Sequence, residues 1–172
     1  MEEAVFYKSE EGTIFMKATG HVTALVCPPL KTTVFNRLDA LPPVTRIYFD
    51  LSDCEYMDST FLGLIVGTHK RLARLSGGAQ AEPGSLVLLF VNEACKGLLR
   101  TIGILGMVEL SDSPVAFPPD LERLSGAART SARFLLDAHE DLSDLSADNR
   151  RRFATLTTVL KSVIDSEDRK GK

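Results

Sequence analysis

The sequence predicts an α/β fold, a layered sheet that opens with a hairpin and closes with an α-helical extension. Three observations point to it. Short β-rich runs alternate with stretches of helical spacing over residues 1 to about 112. Two of those runs, 46–51 and 86–91, are apolar, short and rich in β-formers. Beyond Pro118-Pro119 the strand pattern ends, and apolar residues recur at steps of three and four.

Taken in order, residues 5–8 and 13–18 are β-rich, and Ser9-Glu10-Glu11-Gly12 between them reads as a hairpin turn. Pro28-Pro29 suits the first turn of a helix. Leu30, Val34, Leu38 and Leu41 follow at helical spacing with Phe35 beside them, until Pro42-Pro43 stops the helix. Residues 46–51 lack strict alternation, as a strand covered on both faces would. A helix over Ser59–Leu75 is expected to carry Phe61, Ile65, Thr68, Leu72 and Leu75 on one stripe. Gly63 and Gly67 lie one turn apart on it. Glycine costs a helix about 1 kcal/mol against alanine, so the pair implies close backbone packing, expected against the sheet. Residues 77–84 read as a loop. After the strand 86–91, Asn92 is a candidate cap for a helix from Glu93 to about Ile102 burying Ala94, Leu98, Leu99 and Ile102. Gly103 and Gly106 end it, and residues 108–110 form a last strand.

The prolines at 114, 118 and 119 mark a boundary, so residues 1–113 are expected to form one domain and 114–172 a helical extension. The stripe Leu121, Leu124, Ala128, Ser131, Leu135, Ala138, Leu142, Leu145 would continue through Asn149 and Arg152, which break it. A new phase, Phe153, Leu156, Leu160, Val163, takes over. Two helices joined near residues 143–148 follow, as a hairpin.

Composition narrows the function. The chain has 172 residues and a net charge of −3, which does not suit nucleic acid as a partner. No apolar run approaches the roughly 20 residues that span a bilayer. The acidic start Met1-Glu2-Glu3-Ala4 does not read as a signal peptide, so a cytoplasmic protein is expected. Cys27, Cys54 and Cys95 are distant in sequence and odd in number, and read as reduced, small buried hydrophobes. Neither they nor His21, His69 and His139 show metal-ligand spacing, and no cofactor is expected. Gly77-Gly78 and Gly84 precede a strand rather than joining strand to helix, so they make no phosphate loop.

The stretch that stands out is Asp58-Ser59-Thr60-Phe61-Leu62-Gly63, where a strand hands over to a helix. Asp58 or Ser59 there is a plausible helix cap. The positive end of the helix dipole, with free N–H groups, also receives a negative charge well, and a phosphate on Ser59 would supply one. Ser59 as a nucleophile lacks a base in the sequence around it. His69 lies ten residues on in the same helix, about 15 Å along its axis, and reads as a helix-surface residue.

The order hairpin, helix, strand, Asp-Ser-Thr, helix, strand, helix, strand resembles the STAS domain of bacterial anti-sigma factor antagonists, over residues 4 to about 112. The most specific part runs from Asp50-Leu51 through Asp58-Ser59-Thr60 to Gly67. The resemblance implies a STAS-type sheet with helices on one side. It implies that Ser59 is phosphorylated by a partner that is both anti-sigma factor and serine kinase of the GHKL ATPase type, and dephosphorylated by a PP2C-type phosphatase. Asp58, Thr60, Phe61, Leu62 and Gly63 would be the partner-binding residues. The protein would then be a regulator rather than an enzyme. An unphosphorylated STAS scaffold or accessory subunit of a signalling or lipid-transport complex is the other reading, and a homodimer is left open as a further partner. The sequence departs from the family at Phe61, where glycine is usual, and at Thr23, where many members have an aspartate.

Overall fold

In a computed structural model of the chain, residues 1–75, 84–125 and 129–171 are described. Six strands and five helices follow in the order β1 (Ala4–Glu10), β2 (Thr13–Val22), α1 (Cys27–Asp39), β3 (Arg46–Met57), α2 (Ser59–Leu75), β4 (Ser85–Leu89), α3 (Glu93–Ile102), β5 (Glu109–Ser111), β6 (Glu122–Arg123), α4 (Ala132–Ser143) and α5 (Ala147–Lys170). They form the expected α/β architecture with a single sheet ordered β5-β4-β3-β2-β1-β6. The β1–β2 and β1–β6 pairs are antiparallel and the rest parallel. The first hairpin turns tightly on Glu11 and Gly12, both at positive φ (46° and 78°), the geometry whose twist matches paired strands. The loop read at 77–84 lies, but for Gly84, outside the described residues.

One face of the sheet carries the core. Ile14, Met16, Ala18 and Val22 of β2 alternate inward with Ile47, Phe49 and Leu51 of β3, and all are buried. The residues between them are not: Phe15, Tyr48 and Asp50 are only partly covered. The expectation that strand 46–51 is covered on both faces is therefore corrected, in favour of helices on one side. Apolar Tyr48 on the far face hides the alternation. That far face has a thin cover. The chain leaves β5 at one edge and must reach β6 at the other, and the link sets Phe117 edge-on to Phe15, ring centroids 5.2 Å apart, with Phe15 stacked on Tyr48.

Other boundaries shift for identifiable reasons. Residues 52–57, beyond the strand expected at 46–51, continue β3 by pairing with the end of β2. Leu121 and Leu124 precede the first C-terminal helix, and the short strand β6 occupies 122–123 where no strand was expected. Ala128 of the same stripe lies outside the described residues. Leu41 and Leu75 lie at or past helix ends and are exposed, as is Ala94 on the outer face of α3. In α5 the buried apolar residues are Phe153, Leu160 and Ile164, while Leu156 and Val163 face outward. The joint between α4 and α5 falls where the stripe changes phase. Asn149 breaks that stripe yet is buried: its Nδ2 donates to the carbonyls of Ile102 and Leu142, both at 2.9 Å, tying three helices together. Buried carbonyls left unpaired would be costly, so the asparagine is accommodated as a junction.

Asn92 caps α3 as expected, its side chain accepting from the Cys95 N–H at 2.8 Å. This also places Cys95 beside Cys54, a contact the sequence separation hides. The neighbouring Cys95 thiol and burial push the Cys54 pKa up, while Cys54 and the Asn92 side chain hold that of Cys95 below the usual thiol value. All three cysteines are buried and free.

Candidate functional site

The site forms where β2 and β3 end side by side and α2 begins. Asp58 settles which residue caps the helix. Its Oδ1 accepts the Phe61 N–H at 2.9 Å, the N-cap bond, and its Oδ2 accepts the Ala24 N–H at 2.9 Å, fastening α2 to the loop before α1. Ser59 is thus the first residue of the helix, and its hydroxyl is not spent on capping.

That hydroxyl has another partner. Ser59 Oγ lies 2.9 Å from Nε2 of His139 in α4. The other ring nitrogen, Nδ1, is 2.7 Å from the carbonyl of Leu135. A carbonyl only accepts, so Nδ1 carries a proton, and Nε2 of the neutral ring is left to accept from Ser59. His139 is 2% exposed and packs edge-on to Phe153, centroids 5.3 Å apart. The expectation that Ser59 has no base within reach is corrected: the base arrives from a helix 80 positions away in sequence. Its Nδ1 is held by a backbone carbonyl, not by a carboxylate as in a Ser-His-Asp triad.

The same helix explains the glycines of α2. A Cβ built on Gly63 would stand 2.3 Å from the Ala138 carbonyl oxygen, and one on Gly67 would stand 2.8 Å from an Asp141 carboxylate oxygen. The close packing they imply is real, but it is against α4, not against the sheet. Ion pairs flank this contact. Lys70 Nζ meets Asp141 at 2.8 Å and Asp144 at 3.1 Å, and Lys31 meets Asp137 at 3.2 Å. Burial opposes the Lys70 charge, yet the two carboxylates hold its pKa above the usual value.

Thr60, Phe61 and Leu62 are buried at 4%, 0% and 3% exposure, and Gly63 is covered by α4, so of the residues expected to bind a partner only Asp58 is even half-exposed. Phe61 is a core residue, edge-on to Phe49 with centroids 5.4 Å apart. Thr23 stands where an aspartate is common in the family, but a carboxylate reaches the spot from elsewhere. Glu3 accepts from the Thr23 N–H at 2.8 Å and from its hydroxyl at 2.6 Å. Burial, then the Asp58 and Glu3 charges, push the nearby Cys27 thiol far up. His69 is half-buried on α2, its pKa lowered by burial, with Nδ1 unpaired. The imidazole that meets Ser59 is that of His139.

Among the described residues, no cluster of three or more His, Cys, Asp or Glu side chains could hold a metal, and no helix is long and apolar enough to cross a membrane. No family model and no curated protein matches the sequence. Solved structures do match. A candidate anti-sigma factor antagonist from Thermotoga maritima superposes with a TM-score of 0.51 at 24% identity, covering 62% of this chain and 85% of the other. The Bacillus cell fate determinant SpoIIAA in its phosphorylated form gives 0.50 at 15% identity, covering 63% and 92%. At such identities the likeness is one of fold, and it agrees with a mixed sheet bearing its helices on one side. The chain has the STAS fold found in anti-sigma factor antagonists.

Proposed function

We propose that this protein is a partner-switching regulator of the anti-sigma factor antagonist kind, acting in the cytoplasm, with Ser59 as its phosphate acceptor. The observation that carries the reading is the position of Ser59. It begins α2 while Asp58 does the capping, so a phosphate there would meet the free N–H groups and positive dipole of the first turn without unmaking the cap. A phosphorylated form of SpoIIAA, a protein of the same fold, supports it. The implied partners are a GHKL-type serine kinase that doubles as anti-sigma factor, and a PP2C-type phosphatase.

A phosphate adds roughly −1.5 to −2 charges. It would stand beside Asp58, with Glu3 held at Thr23 on the neighbouring loop. A partner surface complementary to the unmodified serine would then meet a like-charge clash. Catalysis by the Ser59–His139 pair is disfavoured, because His139 is buried and α4 packs directly against the start of α2. A second reading, an unphosphorylated STAS scaffold, is favoured by one observation: Ser59 is half-buried under α4.

Ser59→Asp is expected to weaken binding to the kinase partner by about 3 kcal/mol, roughly a hundredfold, relative to Ser59→Asn. Both variants lose the hydroxyl that bonds His139, so the difference isolates the charge. Titration calorimetry of the two chains against a GHKL-type kinase reads it, and equal affinities would refute the charge clash.

A further inference from the structure

We propose that the groove between α1 and α2 is a helix-docking surface held shut by the chain's own α4, and that the partner fitting it is an amphipathic helix with a small residue at the contact and acidic residues around it. The chemistry is displayed by the helix now seated there. Ala138 lies against Gly63, where only a missing side chain permits the approach. Asp137, one residue before, pairs with Lys31 of α1. Asp141 and Asp144, one and two turns on, pair with Lys70 of α2. Helical spacing puts Asp141 one turn from Asp137, so the acidic residues frame the small one.

Two further contacts make this a closed state rather than loose packing. His139 takes the Ser59 hydroxyl, and Thr130, just before α4, donates to the carbonyl of Ala24 at 3.0 Å. Ala24 is the residue whose N–H the Asp58 cap holds. The cover therefore holds both the serine and the loop beside it. Its edges are ion pairs about a third exposed, of the sort that exchange readily for equivalent pairs with another helix. A partner helix carrying the same pattern would compete with α4 for Lys31, Gly63 and Lys70, and in displacing it would free Ser59. The partner's part in this rests on the reading of the protein as a partner switch. The closed state does not.

Maleimide labelling of a Ser59→Cys chain tests the inference, since Cys27, Cys54 and Cys95 are buried and the wild-type chain supplies the background. The probe helix is a helix-stabilised synthetic peptide of residues 131–145. Labelling is expected to be slow in the otherwise unchanged chain. It should be at least about tenfold faster when Asp137→Lys and Asp141→Lys are added, because local opening governs access. The peptide should restore slow labelling in that opened chain. Equal rates in the closed chain, in the D137K/D141K chain and in a second opened chain, A138R, would overturn the closed state, while leaving phosphorylation of Ser59 to be judged separately. Failure of the peptide to slow labelling would overturn the docking surface. So would equal slowing by a peptide whose two aspartates are lysines.

Discussion

Phe61→Ala is expected to cost about 4 kcal/mol of folding stability. Phe61 is wholly buried, edge-on to Phe49, in a part of the core walled by Met16, Leu30, Ile65 and Leu86. Truncation removes the ring's transfer energy and leaves a cavity that sheet and helix cannot both close, since each is fixed by its own backbone bonds. Phe61→Gly, the residue usual in the family, should lose about 1 kcal/mol more through helix propensity. The phenylalanine here belongs to the core and not to a partner surface. In urea denaturation the midpoint should fall with little change in slope, and heat should unfold the variant roughly 10 °C sooner. A loss below about 1 kcal/mol would contradict this placement.

Gly63→Ala should be damaging for a different reason. Alanine favours the helix by about 1 kcal/mol, but its Cβ would lie 2.3, 2.7 and 2.9 Å from the oxygen, carbonyl carbon and Cα of Ala138. These are backbone atoms with no rotamer to turn aside, so α4 must move bodily from α2. A net loss of about 2–3 kcal/mol is expected, with faster hydrogen exchange across Ala132–Ser143 while the sheet stays protected. Two other glycines calibrate it. At Gly67 the nearest atom is an Asp141 carboxylate oxygen, which can swing away, so alanine should be close to neutral. At Gly97 in α3 nothing lies within 4 Å, so alanine should stabilise by about 1 kcal/mol. If Gly63→Ala proved as stable as Gly97→Ala, the α2–α4 contact would not exist in solution as described.

Local chemistry made much of this fold readable in advance. The Glu11-Gly12 turn, the Asn92 cap, the Ser59–Leu75 helix and the joint between the last two helices each have a cause within a few residues. What was not readable depends on partners distant in the chain. The strand through Tyr48 reads as apolar on both faces because an aromatic ring lies on the far face, stacked on Phe15, which the Phe117 segment covers. Cys54 and Cys95 meet because a strand end and a capped helix start converge. The histidine partner of Ser59 left the faintest trace. A signal did exist: Ala138 sits on an apolar helical stripe with His139 beside it, and Gly63 and Gly67 sit one turn apart on another helix. A small residue opposite spaced glycines implies two helices in close approach, and it would have brought His139 to the serine.

The proposed function turns on whether Ser59 accepts phosphate. Intact mass spectrometry after incubation with ATP and a GHKL-type serine kinase measures that directly, on the wild-type chain, the opened D137K/D141K chain and Ser59→Ala. One added phosphate on the first two, arriving faster on the opened chain, and none on Ser59→Ala is the predicted result. No phosphate on either the wild-type or the opened chain, or equal labelling of Ser59→Ala, would contradict it.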